Sequence, residues 1–241
     1  RRAPGNTCLA ALRAMKSLGE PARNDSKGCG GVMRVAPVGL FAWRLRQQET
    51  PQDAFRLGTE LAALTHGHPT GTLTGGVLAV LILALTDGAS LPDALVVSKA
   101  ILRSEPGHEE TLRAIELAET LATSGQPHEA AISQLGQGWI AEEALAISIY
   151  CALVARNFKH GVILAVNHDG DSDSTGSITG NLLGAMHGVR AIPAEWLEPL
   201  ELREVITSLA EDLYAFKDWE IGEYSENAEM NQRIWQKYPG F

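Results

Sequence analysis

The sequence predicts an all-α fold, a compact multihelical bundle, from three observations. Capping residues and apolar positions at helical spacing recur from end to end. Alternating strand patterns do not recur, and the connections are short and carry Gly or Pro.

Taken in order, Asn6 is placed to cap a helix over Thr7–Leu18, with Gly19 as its stop. Thr50-Pro51 opens a segment through Leu64, with Pro in the favourable first position and apolar residues at 54, 55, 57, 61, 62 and 64. Gly71–Leu85 is apolar nearly all round, the mark of a central helix. Ser90 caps Leu91–Leu102, Glu109–Thr123 stops at Gly125, and Pro127–Leu135 and Glu142–Arg156 follow. The last expected helices are Ser177–Val189 and Ala194–Phe216, the second interrupted by Pro199.

The 241 residues fit a single domain over 1–241 and suffice to bury a core that needs neither metal nor disulfide to fold. Hydrophobic residues at 45% and charged residues at 20% sit at the globular average, which excludes a disordered chain. Twenty basic against 29 acidic residues, a net charge of −9, argues against a nucleic-acid partner. It leaves room for a small phosphate ligand held by backbone amides. Cys8, Cys29 and Cys151 are scattered and odd in number, which suits a reduced, cytoplasmic protein. No signal peptide is visible, and the most apolar run, Gly76–Thr86, is too short to cross a bilayer and reads as a buried helix, so no membrane is expected. The chain begins Arg-Arg-Ala-Pro-Gly without Met, so upstream sequence is expected to be missing.

Residues 167–181, NHDGDSDSTGSITGN, set Asp169, Asp171 and Asp173 at alternate positions. Carboxylates a few ångströms apart repel, so one takes a proton or a cation arrives. Oxygen-rich clusters suit hard ions such as Mg²⁺, Mn²⁺ or Ca²⁺. A calcium EF-hand loop also starts with alternating acids, but it requires Gly and Glu where this sequence has Ser174 and Gly180. A metal site and a solvated Asp turn remain the two readings of the residues themselves. Gly176, Gly180, Gly184 and Gly188 follow at every fourth position, along one side of a helix. Each costs about 1 kcal/mol against alanine inside a helix, so a close approach of another helix or loop is expected there.

Ser26-Lys27-Gly28-Cys29-Gly30-Gly31 runs into Val32-Met33-Arg34, and successive amides at a helix start can cradle phosphate. An ordinary flexible loop is the alternative, and no standard nucleotide motif is present. Thr65-His66-Gly67-His68-Pro69 ends a helix, where histidine is also favoured by the dipole. His108, His128 and His160 read as surface residues, and Glu142-Glu143 as the acids of a helix first turn.

Together these stretches resemble the ADP-ribosylglycohydrolase family. The pieces that carry the resemblance are Gly5-Asn6-Thr7-Cys8, Gly28 through Pro37, Thr65 through Pro69, Gly138-Trp139-Ile140-Ala141-Glu142, and Asn167 through Gly188. The last is the most specific, with Asp171-Ser172-Asp173-Ser174 fitting the family's Asp-x-Asp-Thr/Ser core. The resemblance implies an all-helical hydrolase that removes ADP-ribose from ADP-ribosylated protein, from arginine through its N-glycosidic bond. It implies two Mg²⁺ ions in the complete protein, or Mn²⁺ in their place, with Asp171, Asp173 and Ser174 as metal ligands and the two aspartates acting through metal-bound water. Ser26, Lys27, Gly28 and Cys29 would hold the diphosphate, and His66 would border the distal ribose. Asp169 is left as a loop residue or as one that supports the ligands from behind.

The family's other ligand motif, Thr/Ser-Asp-Asp-Thr/Ser, has no match before Asn167, so the expectation is a chain that lacks its N-terminal part and is inactive alone. Some relatives carry an aspartate where this sequence has Ala3, so no general base is implied. The expected partner is ADP-ribosylated protein or ADP-ribose, and the expected state a monomer. A metal-dependent phosphohydrolase and a non-catalytic neutraliser of an ADP-ribosyltransferase are the competing readings.

Overall fold

The computed structural model describes residues 4–48, 50–222 and 226–239; Ala3 lies outside them. Among the described residues there are thirteen α-helices and no sheet, with one isolated antiparallel bridge between Gly28 and Ile140. The chain divides into two units, residues up to Glu198 and residues from Pro199.

The first unit is built around α4 (Pro69–Thr86), where Val77 through Ile82 are at most 1% exposed. Around it pack α2 (Ala36–Leu45), α3 (Pro51–Ala63), α5 (Leu91–Leu102), α8 (Ala141–Leu153) and α10 (Ser172–His187). This helix is longer than the run read from sequence. By length and composition alone it could cross a membrane, yet 83% of it is buried inside the protein. A second buried helix, α8, carries the fully enclosed Leu145, Ile147, Ile149 and Tyr150. Packed on it are α6 (Glu109–Ala122), α7 (His128–Leu135), α9 (Phe158–Val166) and α10. The unit is completed by α1 (Asn6–Ala14) and the short α11 (Ala194–Leu197).

Local chemistry sets these boundaries. Thr50 and Asp53 exchange hydrogen bonds in a capping box at the start of α3, at 3.3 Å and 2.9 Å. Ser90 caps α5 by accepting from the Asp93 amide at 3.3 Å. Asn157 does the same for α9, from the His160 amide at 2.8 Å. Where α3 crosses α4, a Cβ on Gly58 would lie 2.7 Å from the Gly75 carbonyl oxygen, and one on Gly75 would lie 2.8 Å from that of Gly58. The two backbones are in contact, which only glycine allows.

Some boundaries differ from expectation. Asn6 is the first residue of α1 rather than its cap, and the helix ends at Ala14. Three helices, α2, α9 and α13 (Ala228–Lys237), were not expected: α2 carries Pro37 in its first turn behind a glycine-rich stretch, and α9 is only nine residues long. Five residues before its expected start, α10 begins at Ser172, because the acid and hydroxyl run forms its first turn.

In the second unit, the expected helix Ala194–Phe216 is broken near Pro199, and Leu202 adopts φ +60° before α12 (Arg203–Ala215) begins. After it comes α13 (Ala228–Lys237), capped by Asn227, which accepts from the Met230 amide at 3.0 Å. Tyr238 donates to Asp212 at 2.5 Å, and Lys237 pairs with the same carboxylate.

Replacing Gly75 with Val is expected to lower unfolding free energy by about 1–3 kcal/mol through overpacking. A urea midpoint equal to that of the parent would contradict the backbone contact between α3 and α4.

Candidate active site

The candidate site begins where α10 starts. Asp171 is 6% exposed and Ser174 2%, while Asp173 faces solvent. The Cys29 thiol donates to Asp171 Oδ2 at 2.8 Å and lies 3.4 Å from Ser174 Oγ, and Ser174 Oγ also points at Met33 Sδ at 3.6 Å. Thus the glycine-rich loop and the acidic helix, 142 residues apart in sequence, form one neighbourhood.

Burial pushes the Asp171 carboxyl upward, but hydrogen bonds from Cys29, Asp173 and Ser174 outweigh it and hold the group below its usual range. Asp173 moves the other way, raised by its hydrogen bond to Asp171, by burial and by the Asp171 charge. The two are pushed apart, as like charges at close range require. The Cys29 thiol is pushed up to about 12, chiefly by burial and then by its bond to Asp171.

Two carboxylates and a hydroxyl are a donor set of the kind hard divalent cations take. Among the described residues, no three His, Cys, Asp or Glu side chains gather to hold an ion, so these oxygens are fewer than such a cluster supplies.

The expected close approach along the glycines of α10 is not there. Only Gly176 is crowded, where a Cβ would lie 2.6 Å from Val166 Cγ1; Gly180, Gly184 and Gly188 have open space for 4 Å. Helix packing uses another face, through Ile178, Leu182 and Leu183, and Gly188 ends the helix at φ +72°.

The loop at 26–31 is fixed by main-chain bonds. Cys29 N donates to Trp139 O at 3.2 Å, and Ala141 N donates to Lys27 O at 2.8 Å. His66, only 2% exposed, lies beneath it. Built Cβ atoms on Gly28, Gly30 and Gly31 would come within 3.3–3.4 Å of its ring, so the glycines let the loop settle on the imidazole. Ser26 Oγ lies 3.4 Å from Thr7 Oγ1 and accepts weakly from Gly28 N at 3.4 Å.

Lys27 Nζ is bound between Glu142 at 2.6 Å and Glu110 at 2.9 Å, and Thr70 also donates to Glu110 at 2.8 Å. These bonds raise Lys27 and lower Glu110. The ammonium therefore ties the loop to α6 and α8. The other Glu142 oxygen is buried without a partner.

Beside His66, Arg34 donates to Thr65 Oγ1 at 2.8 Å, and Thr65 Oγ1 lies 2.8 Å from His66 Nδ1. A guanidinium can only donate, so Thr65 Oγ1 accepts from Arg34 and is shared between the guanidinium and the imidazole. Burial first, and then the Arg34 charge, lower His66 to about 4, so the ring is neutral.

Arg34, Glu110, Glu143 and His168 were not singled out from sequence as site-shaping residues. Glu143 accepts from the amides of Gln137 and Gly138 at 3.0 Å and 3.1 Å, a role that a helix first turn does not advertise. His128, expected at the surface, is exposed but serves the buried Tyr150, whose hydroxyl is 2.8 Å from Nδ1.

The scaffold has known counterparts, which set the class of protein. A solved structure titled ADP-ribosylglycohydrolase-related protein complex matches with a TM-score of 0.69 at 32% identity, covering 87% of this chain and 68% of that one. A sequence profile described as ADP-ribosylglycohydrolase matches residues 1–221, and the chain belongs to that family. An uncharacterised protein of Archaeoglobus fulgidus is 31% identical over 191 residues, 78% of this chain and 58% of the relative. The ADP-ribosylarginine hydrolase Tri1 of Pseudomonas putida is 23% identical over 190 residues, 79% of this chain and 46% of the relative. The chain thus spans about half the length of these two curated relatives.

Two outcomes are expected. Because folding lowers His66 from 6.5 to about 4, its contribution to stability is complete above pH 6.5 and is lost as pH falls towards 4. The denaturation midpoint of His66→Gln should fall less steeply across that window than the parent's; equal slopes would contradict it. Cys29 should resist iodoacetamide at pH 8 under conditions that label a free thiol completely, and mass spectrometry of the labelled peptide checks this.

Proposed function

We propose that this chain forms part of a hydrolase that removes ADP-ribose from arginine side chains of modified proteins. The observation that carries the reading is the contact of the Cys29 loop with the Asp171–Ser174 helix start, which brings a glycine-rich loop beside an acidic pair. Family membership and a relative named as an ADP-ribosylarginine hydrolase support it.

Asp171, Asp173 and Ser174 would hold Mg²⁺, or Mn²⁺, which when bound supplies Lewis acidity towards ribose hydroxyls and water. The remaining chemistry belongs to the chain. As the bond from the anomeric carbon to the guanidine nitrogen breaks, positive charge builds on the carbon, and the Asp171 and Asp173 carboxylates stabilise it. Water supplies the hydroxyl of free ADP-ribose and the proton that restores arginine. Lys27 is already neutralised by Glu110 and Glu142, so recognition of the diphosphate falls to the Ser26 hydroxyl and the loop backbone. The partner is ADP-ribosylated protein, met in the cytoplasm by a monomer.

The full reading frame that encodes this chain should be given arginine-ADP-ribosylated protein and a phosphomonoester side by side with Mg²⁺. Release of ADP-ribose alone is expected, and Asp171→Ala/Asp173→Ala should lower it roughly 100-fold or more. Turnover of the ester alone would overturn the reading in favour of a phosphohydrolase. Activity lost with the double variant, while protection from an ADP-ribosyltransferase persists, would mark a separate binding role.

A further inference from the structure

We infer that His168 is a positioning residue for the acidic pair, acting as a neutral Nε2–H tautomer that staples the turn before α10 to the helix's first turn. The inference rests on the reading of Asp171 and Asp173 as ion-binding groups. The hydrogen bonds of His168 go to Gly170 and Thr175 rather than to either carboxylate, so it acts through their backbone.

The tautomer follows from the directions of the hydrogen bonds. Gly170 N lies 3.1 Å from His168 Nδ1, and a backbone N–H can only donate, so Nδ1 carries a lone pair. The ring proton is then on Nε2, which lies 2.9 Å from Thr175 Oγ1 and donates to it. Thr175, fully buried, directs its own proton chiefly to Ala165 O at 2.6 Å, at the end of α9, with Asp171 O at 3.1 Å and Ser172 O at 3.3 Å as longer acceptors. The result is one unidirectional chain from Gly170 N–H through imidazole and hydroxyl to Ala165 O. Each member has its donor and acceptor used, so neither the other tautomer nor a rotated ring satisfies the set.

The opposite side of the turn is held independently. Asp171 N donates to Gln137 O at 2.7 Å, and a Cβ on Gly170 would lie only 1.9 Å from that same oxygen. Gln137 N and Gly138 N are in turn fixed by Glu143. Asp171 is therefore gripped from both sides, and His168 is the side-chain half of that grip. Partners of this kind that orient ion-binding groups from one layer out change ion affinity without touching the ion.

The half-buried ring borders a cavity of about 600 Å³ lined by Glu129, Ser133, Gln137 and Asp169, so amide side chains fit there without overpacking. Asn places an oxygen near the position of Nδ1, and Gln places a donor near the position of Nε2. The substitutions thus separate the two bonds.

Three measurements on the folded protein test the inference. Long-range ¹⁵N–¹H spectra should show His168 protonated at Nε2 only, and the Gly170 amide should exchange slowly. His168→Asn should keep Gly170 protected, whereas His168→Gln and His168→Ala should lose that protection while melting as cooperatively as the parent. Mn²⁺ titration followed by electron paramagnetic resonance should show binding about 10–100-fold weaker in His168→Ala, largely restored in His168→Asn. An Nδ1–H tautomer, a fast-exchanging Gly170 amide in the parent, or Mn²⁺ binding that is the same in parent and His168→Ala, including none in either, would overturn it. Loss of Mn²⁺ affinity in His168→Ala from a parent that releases no ADP-ribose would sink the glycohydrolase reading and leave this one standing.

Discussion

Three main-chain hydrogen bonds organise the candidate site: Cys29 N to Trp139 O, Ala141 N to Lys27 O, and Asp171 N to Gln137 O. They join loops that are far apart in sequence, and the segment from Gln137 to Ala141 is the partner common to all three. Everything else at the site is arranged around that shared segment. Cys29 reaches Asp171 because both strands of chain are registered against it. Main-chain bonds of this type leave no mark on side-chain identity, and buried backbone groups must find partners wherever the chain leads them.

That is also why legibility in the sequence was uneven. Helix α5 was read to the residue, because Ser90 caps it and its interior follows the helical period. Thr50-Pro51 marked the start of α3 equally well, with Pro in its first position. By contrast, α10 was read as starting late because Ser172, Asp173 and Ser174 have the composition of a turn, although hydroxyls and acids are also what first turns favour. At the site, alternating carboxylates drew the eye to Asp169, Asp171 and Asp173, and the family resemblance narrowed them to Asp171 and Asp173, the two whose carboxyls the structure couples. The role of Glu143 was not legible, since an acid in a first turn already has a reason to be there. The glycines of α10 misled: a four-residue period identifies a face but not what lies opposite it, and three of the four meet open space.

The charges near the loop are used within the protein itself. Arg34 donates to the carbonyls of Gly30 at 2.7 Å and Leu61 at 2.8 Å as well as to Thr65, and so stitches the loop to the end of α3. Lys27 is held by two carboxylates. His66 is kept neutral by burial under the same loop. Two cations and a histidine that a sequence reader would aim at an anionic ligand are thus structural ties, and the glycines between them are shaped by the imidazole they cover.

The shared segment carries a further consequence for how such a protein can change over generations. Gly136 and Gly138 both adopt positive φ, at +115° and +82°, and between them Gln137 presents its carbonyl to Asp171. One residue inserted or deleted there would shift the Lys27–Cys29 pairing and the Asp171 anchor together, in opposite directions along the chain. Point substitutions elsewhere in the three loops can be absorbed one at a time, but the length of this segment cannot drift. Its spacing from the Asp-x-Asp turn is a distance fixed in three dimensions rather than a motif in one.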